Sequence, residues 1–156
     1  MTERVRPHAS REELVERLTR VSDALIELVA SADPQGWNRV SGPGAWSPGK
    51  EADHVADALP LHLWFVRKSL GERAGSRPAI ERATLTTDRS PAEVAERIRR
   101  ERDTAVALVS QLTNEQLELP SNPPRGRHDR VAELLQSLVI GHLETHRRSL
   151  DEALET

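Results

Sequence analysis

The chain has 156 residues, enough for one domain with one core and short for two, and 37% of them are hydrophobic. It has no cysteine, which excludes disulfides, thiolate zinc sites, iron–sulfur clusters and a cysteine nucleophile together. A formal net charge of −3, both signs mixed, argues against a nucleic-acid-binding face, and no stretch nears the ~20 apolar residues of a membrane span. The opening MTERVRPHASREEL lacks the apolar core of a secretory signal, so a cytoplasmic location is expected. Arg97, Arg99, Arg100 and Arg102 cluster, but Glu93, Glu96 and Glu101 are interleaved with them at helical spacing, the pattern of a solvated helix surface. Lysine occurs only at Lys50 and Lys68 against abundant arginine, a bias that suits a GC-rich bacterial genome.

Four long helices are predicted, with no strand alternation between them. The first opens at Ser10-Arg11-Glu12-Glu13, a capping-box sequence, and carries Leu14, Leu18, Val21, Leu25 and Leu28 on one stripe until Asp33-Pro34 and Gly36 stop it. The second opens at Ser47-Pro48, serine as cap and proline in the first turn, with Ala52, Val55, Ala56, Leu59, Leu63, Val66 and Leu70 turned inward. Pro60 falls inside it and is expected to free the Ala56 carbonyl and kink or locally break the helix. Residues 71–89 form a polar connection, too long for a turn, which should cross an end of the bundle or run along its side. Ser90-Pro91-Ala92-Glu93 caps the third helix, whose face is Val94, Ile98, Ala105, Leu108 and Leu112; Thr113-Asn114-Glu115-Gln116 can nucleate one short turn more. A loop is expected at Pro123-Pro124-Arg125-Gly126. The fourth helix is expected from about Asp129 to Ala153 on a core of Val131, Leu135, Leu138 and Val139. Four amphipathic helices can bury their stripes only against one another, so residues 1–156 read as a single all-α domain, a four-helix bundle. Trp37, Trp46 and Trp64 lie near helix ends and margins, where they can cover the bundle's open ends.

The chemistry of the chain concentrates in its histidines. His142 and His146 are four apart, on one helix face, with about 6 Å of rise between them, which lets two imidazoles grip one metal ion. That spacing arises by chance in roughly one chain in five of this composition, so position has to carry the inference. The stripe Val131, Leu135, Leu138 runs on into His142 and His146, which puts two polar rings where core leucines would stand. Buried imidazoles need partners, and either a metal ion or hydrogen-bonding core neighbours would provide them; spacing and stripe leave the two level. A third ligand would come from the second helix, where His54 lies on the margin of the apolar arc and His62 nearer its middle; periodicity does not choose between them. His8 lies in the N-terminal tail and His128 just before the fourth helix.

The run from Ala45 through Trp46, Ser47, Pro48 and His54 to Asp57 resembles the second-helix signature of the DinB-like family, and His142-Leu143-Glu144-Thr145-His146 resembles its last-helix motif. That family of four-helix bundles, distinct from the similarly named DNA polymerase, includes thiol-dependent S-transferases and the mycothiol-dependent maleylpyruvate isomerase. The resemblance covers nearly the whole chain and implies His54, His142 and His146 as the ligands of one divalent metal ion: zinc, nickel or iron. Pro60 and the scarcity of aromatics have no counterpart in the family pattern. A carboxylate di-iron bundle would need a second Glu-x-x-His beside Glu51-Ala52-Asp53-His54, and the chain has none. Glu51, Asp57 and Glu144 then read as solvated groups or as groups that orient a ligand imidazole.

Three neutral imidazoles leave an ion's charge uncompensated and part of its shell open, the pattern of catalytic rather than structural sites. With no cysteine in the chain, a thiol must arrive as a small molecule, and the resemblance implies mycothiol or bacillithiol. The function expected is a metal-dependent transferase or isomerase acting on a small-molecule thiol and an electrophilic substrate, without nucleic acid or membrane partners and with a homodimer as the candidate assembly. Two other readings stand beside it: a non-catalytic metal-binding stress or partner-binding protein, and a metal-dependent hydrolase.

Overall fold

A computed structural model describes residues 8–125 and 128–155. The elements are α1 (Arg11–Ala30), α2 (Pro34–Trp37), α3 (Pro48–Ser69), α4 (Pro91–Ser110), α5 (Asn114–Glu118), β1 (Pro120–Arg125), β2 (His128–Arg130) and α6 (Val131–Glu133). A π-helical stretch (Leu134–Ile140) and α7 (Gly141–Leu154) continue α6 as the last long helix. α1 packs on α4, α4 on α3, α3 on α7 and α7 on α1, so the four long helices close a ring around one core.

The caps follow their sequence chemistry. Ser10, Ser47 and Ser90 each accept the backbone N–H three residues on, at 3.1 Å. Ser90/Glu93 and Thr113/Gln116 are complete capping boxes. At the first helix only the Ser10 half of the expected box is formed. Pro60 does not break α3, which runs unbroken from Pro48 to Ser69 with Pro60 half-buried. The inner positions expected of each helix are filled, except that Leu28, Leu70, Leu108 and Leu138 are only partly buried while Val29, Val109 and Ile140 complete the core.

Three local features depart from the expected pattern. Asp33-Pro34 ends α1 but also caps α2, because the Asp33 carboxylate accepts the Gln35 N–H at 2.9 Å. Trp37 of that short helix is buried, donates its indole N–H to the Arg89 carbonyl (2.8 Å) and lies on α3's first turn. Gly49 makes this possible, since a Cβ there would lie 2.7 Å from the indole. Pro123–Arg125, expected in a loop, belong to an antiparallel hairpin of β1 and β2 with an irregular register, so the last helix starts at Val131 and not Asp129. Gly126 lies outside the described residues.

The third feature is the π stretch. Its carbonyls are taken by N–H groups five residues on, as in the bond from the Gly141 N–H to the Gln136 carbonyl. A Cβ at position 141 would meet that carbonyl at 3.3 Å, so glycine suits the point where π reverts to α. Residues 71–89 run along the bundle side, pinned to α2 and α3: Ser47 N–H donates to the Leu85 carbonyl (2.8 Å) and Asn38 Nδ2 to the Thr87 carbonyl (3.0 Å).

Candidate metal centre

Two helices meet at the histidines. His54 sits two turns into α3, 6% exposed, with the Trp46 ring against it at 4.9 Å between centroids. His142 and His146 stand one turn apart on α7, immediately after the π stretch, both half-buried. One ligand atom from each of the three rings lies within 4.8 Å of the others. The Nε2 atoms of His142 and His146 face each other at 3.0 Å, and the His54 ring centroid is 5.4 and 5.3 Å from theirs. Nitrogens 2.0–2.1 Å from a common ion lie roughly 3 Å or slightly more apart, so this spacing suits shared coordination.

The donor set fits a divalent ion on a second ground. The Nδ1 atoms of His54, His142 and His146 are buried without a hydrogen-bond partner among the described residues. A buried polar atom left unsatisfied costs about 1–3 kcal/mol, and three in one cluster are expensive unless a ligand offsets them. Burial is also the main reason the His142 imidazole is pushed down to about 3, with the charges of His146, His62, His54 and Arg82 adding to it. His54 is lowered by burial first, then by His146 and Arg82, against an opposing pull from Asp57. Both rings are therefore held neutral, the form that ligates a metal.

The remaining sequence candidates separate cleanly. His62 is buried and packs edge-on against His142 at 4.8 Å between centroids, but it is not one of the three whose ligand atoms converge. His8 pairs with Glu118 at 2.5 Å, and His128 lies in β2. Glu51 turns toward α7: its Oε2 is 3.5 Å from His146 Nδ1, and Ser149 Oγ donates to its two oxygens at 2.6 and 3.0 Å. Asp57 instead accepts from Arg97 (2.8 Å), and Glu144 faces Arg17 (3.5 Å).

A cavity of about 340 Å³, lined by Gly44, Trp46, Glu51 and His146, opens on the cluster. A larger cleft of about 580 Å³ lies along α4 among Arg89, Glu93, Glu96 and Arg97; it has no histidine in its wall. Sequence reasoning missed the polar cluster on the other side of α3. There Asp53 accepts from Thr87 Oγ1 (2.8 Å), Arg89 (2.8 Å) and Arg97. Lys50, 4% exposed, is held by the Glu81 carboxylate (2.6 Å), the Glu81 carbonyl (3.0 Å) and Thr84 Oγ1 (3.1 Å). A buried lysine and aspartate on an inner helix face were the available signal, since each demands a partner.

A helical bundle that converges three imidazoles from two facing helices, each with an Nδ1 that has no hydrogen-bond partner among the described residues, defines a candidate metalloprotein, with the ion held inside the bundle. The DinB superfamily model matches residues 5–150, and the chain belongs to that superfamily. Neither the search of curated proteins nor that of solved structures returned a match. Among the described residues no helix is long and apolar enough to cross a membrane.

Proposed function

We propose that the protein binds one divalent metal ion through His54, His142 and His146 and uses it to transfer a low-molecular-weight thiol, of the mycothiol or bacillithiol type, to an electrophilic substrate. The observation that carries this reading is the convergence of three imidazoles, without a coordinating carboxylate, at a cavity open to small molecules. An ion held there would act as a Lewis acid, favouring the thiolate form of an incoming thiol at neutral pH. The chain's own residues do the rest. Burial keeps His54 and His142 unprotonated. Trp46 walls the cavity on the His54 side, and Glu51, braced by Ser149, borders His146. Zinc, nickel and iron all suit imidazole, and the ligand set does not select among them.

The test is elemental analysis of the purified protein, followed by conjugation assays with mycothiol and bacillithiol against a panel of electrophiles. About one metal per chain is expected, with metal and turnover lost together in His146→Ala. Full occupancy in His54→Ala with loss in His62→Ala would show that the ligand set is wrong. Metal bound at full occupancy, with no thiol effect on the spectrum of the cobalt-substituted protein, would transfer support to the non-catalytic reading.

A further inference from the structure

We propose that Glu51 is a positioning residue for the metal ion: its carboxylate accepts a hydrogen bond from Nδ1–H of His146 and so holds that one ring, of the three, in the tautomer and orientation that present Nε2 to the ion. This rests on the metal-binding part of the reading above and is independent of thiol transfer.

The two nitrogens of the His146 ring face different groups. Nε2 lies 3.0 Å from Nε2 of His142, where the three rings converge. Nδ1 is buried without a hydrogen-bond partner among the described residues, and Glu51 Oε2 stands 3.5 Å from it. A neutral imidazole carries one N–H. With the Nε2 lone pair given to an ion, that N–H belongs on Nδ1, a buried donor with a carboxylate beside it. Closing the gap by a few tenths of an ångström brings the pair into ordinary hydrogen-bond range.

Glu51 is held for this from both helices. It stands in the first turn of α3, where the helix N-terminus favours a negative charge, and its side chain is only 15% exposed. Ser149, on α7 and one turn beyond His146, donates to both of its oxygens at 2.6 and 3.0 Å. The carboxylate is thereby fixed against the helix that carries the ring it serves. The pairing is also selective. Among the described residues no carboxylate pairs with His54 or His142, although their Nδ1 atoms are buried and unpartnered too. A hydrogen bond to an ionised acceptor is roughly twice as strong as one between neutral groups, so His146 is the ring held most firmly.

The experiment measures zinc affinity of the full-length protein by chelator competition, with no thiol present. Glu51→Leu, similar in bulk and without an acceptor, should weaken zinc binding roughly tenfold or more. Glu51→Gln keeps an acceptor oxygen and should recover part of that loss, and Ser149→Ala should cost a few-fold. Nitrogen-resolved NMR of the zinc-loaded protein gives the local signature. A downfield Nδ1–H resonance of His146 should be present in wild type and lost in Glu51→Leu, while the His54 and His142 ring signals keep their positions. Zinc bound equally by wild type and Glu51→Leu overturns the role of Glu51 alone. Equal disturbance of all three rings overturns it as well, because Glu51 would then be supporting the fold around the site. Should wild type take up no zinc, the metal reading fails and this role with it. Thermal melts of the metal-free variants check the fold, and Glu51→Ala carries the same test if the leucine unfolds the chain.

Discussion

α3 carries two buried polar clusters on adjoining residues, and they are built on opposite terms. Around Asp53, both carboxylate oxygens accept hydrogen bonds, from Thr87, Arg89 and Arg97, and the charges oppose one another locally. Around His54, one residue further on, burial holds His54 and His142 neutral, and among the described residues the Nδ1 atoms of His54, His142 and His146 have no hydrogen-bond partner. A polar cluster that completes itself fastens parts of a fold together; one that remains incomplete has kept its bonding capacity for something else. The first holds residues 71–89 and α4 against α3, and the second faces a cavity.

Substitutions should separate the two. Removing Asp53 leaves the half-buried Arg97 with one of its two carboxylate partners and Thr87 and Arg89 without theirs, so Asp53→Ala should lower unfolding free energy by about 2 kcal/mol, read by denaturant titration. It should leave metal content near that of wild type; loss of metal in a variant that remains folded would merge the two clusters into one functional unit. On the histidine side the sensitivity is to ligand. Metal at a hundred times its dissociation constant should raise stability by about 2.7 kcal/mol, seen as a higher melting temperature, and His146→Ala should abolish that gain while the metal-free variant melts close to metal-free wild type.

A smaller effect tracks protons. The folded His142 is pushed down to about 3 and His54 is lowered too, so the unfolded chain takes up protons first as pH falls. The sign follows: this contribution to stability is whole above pH ~6.5 and declines as pH drops toward the folded values, with a slope up to about 1.4 kcal/mol per pH unit for each proton. Metal-free wild type should lose stability between pH 6.5 and 5, and His142→Gln should flatten that slope. Smallest is Gly141→Ala, which sets a Cβ against the Gln136 carbonyl and should destabilise by under about 1 kcal/mol. Because His142 is the next residue, its metal affinity should shift more than its stability does.

Much of this molecule could be read from its residues. Ser47-Pro48, Ser90 with Glu93 and Thr113 with Gln116 are local chemistry, and all three cap helices as their sequences predict. The three histidines came from spacing and resemblance, and folding brings their rings together. The stripe used to place them departs from the structure. The stripe through Leu138 does not run down the core; Leu138 is partly exposed, and Leu135, Val139, Leu143 and Leu150 line the interior. A π stretch changes the angle per residue, and a pattern that assumes i, i+3, i+4 cannot register it. His142 and His146 escaped the error because both lie beyond that stretch, where α geometry again places residues four apart on one face. The Asp53 cluster, the Lys50–Glu81 tether and the packing of Trp37 on Gly49 join residues 31 to 44 or 12 apart through irregular backbone, and no local pattern announces such pairs.

The π stretch also bears on how this chain should be aligned with its relatives. The stretch absorbs one extra residue. Deleting one from Leu134–Ile140 would restore α bonding and leave the residues downstream facing as they do, whereas the same insertion carried in α geometry would turn them by about 100°. A related protein whose last helix is α throughout therefore needs one residue fewer before its first histidine to bring the imidazole to the same place. Gap-free alignment of two such sequences across this helix would pair His142 with a neighbour of the true ligand and record a lost metal site where the site is intact.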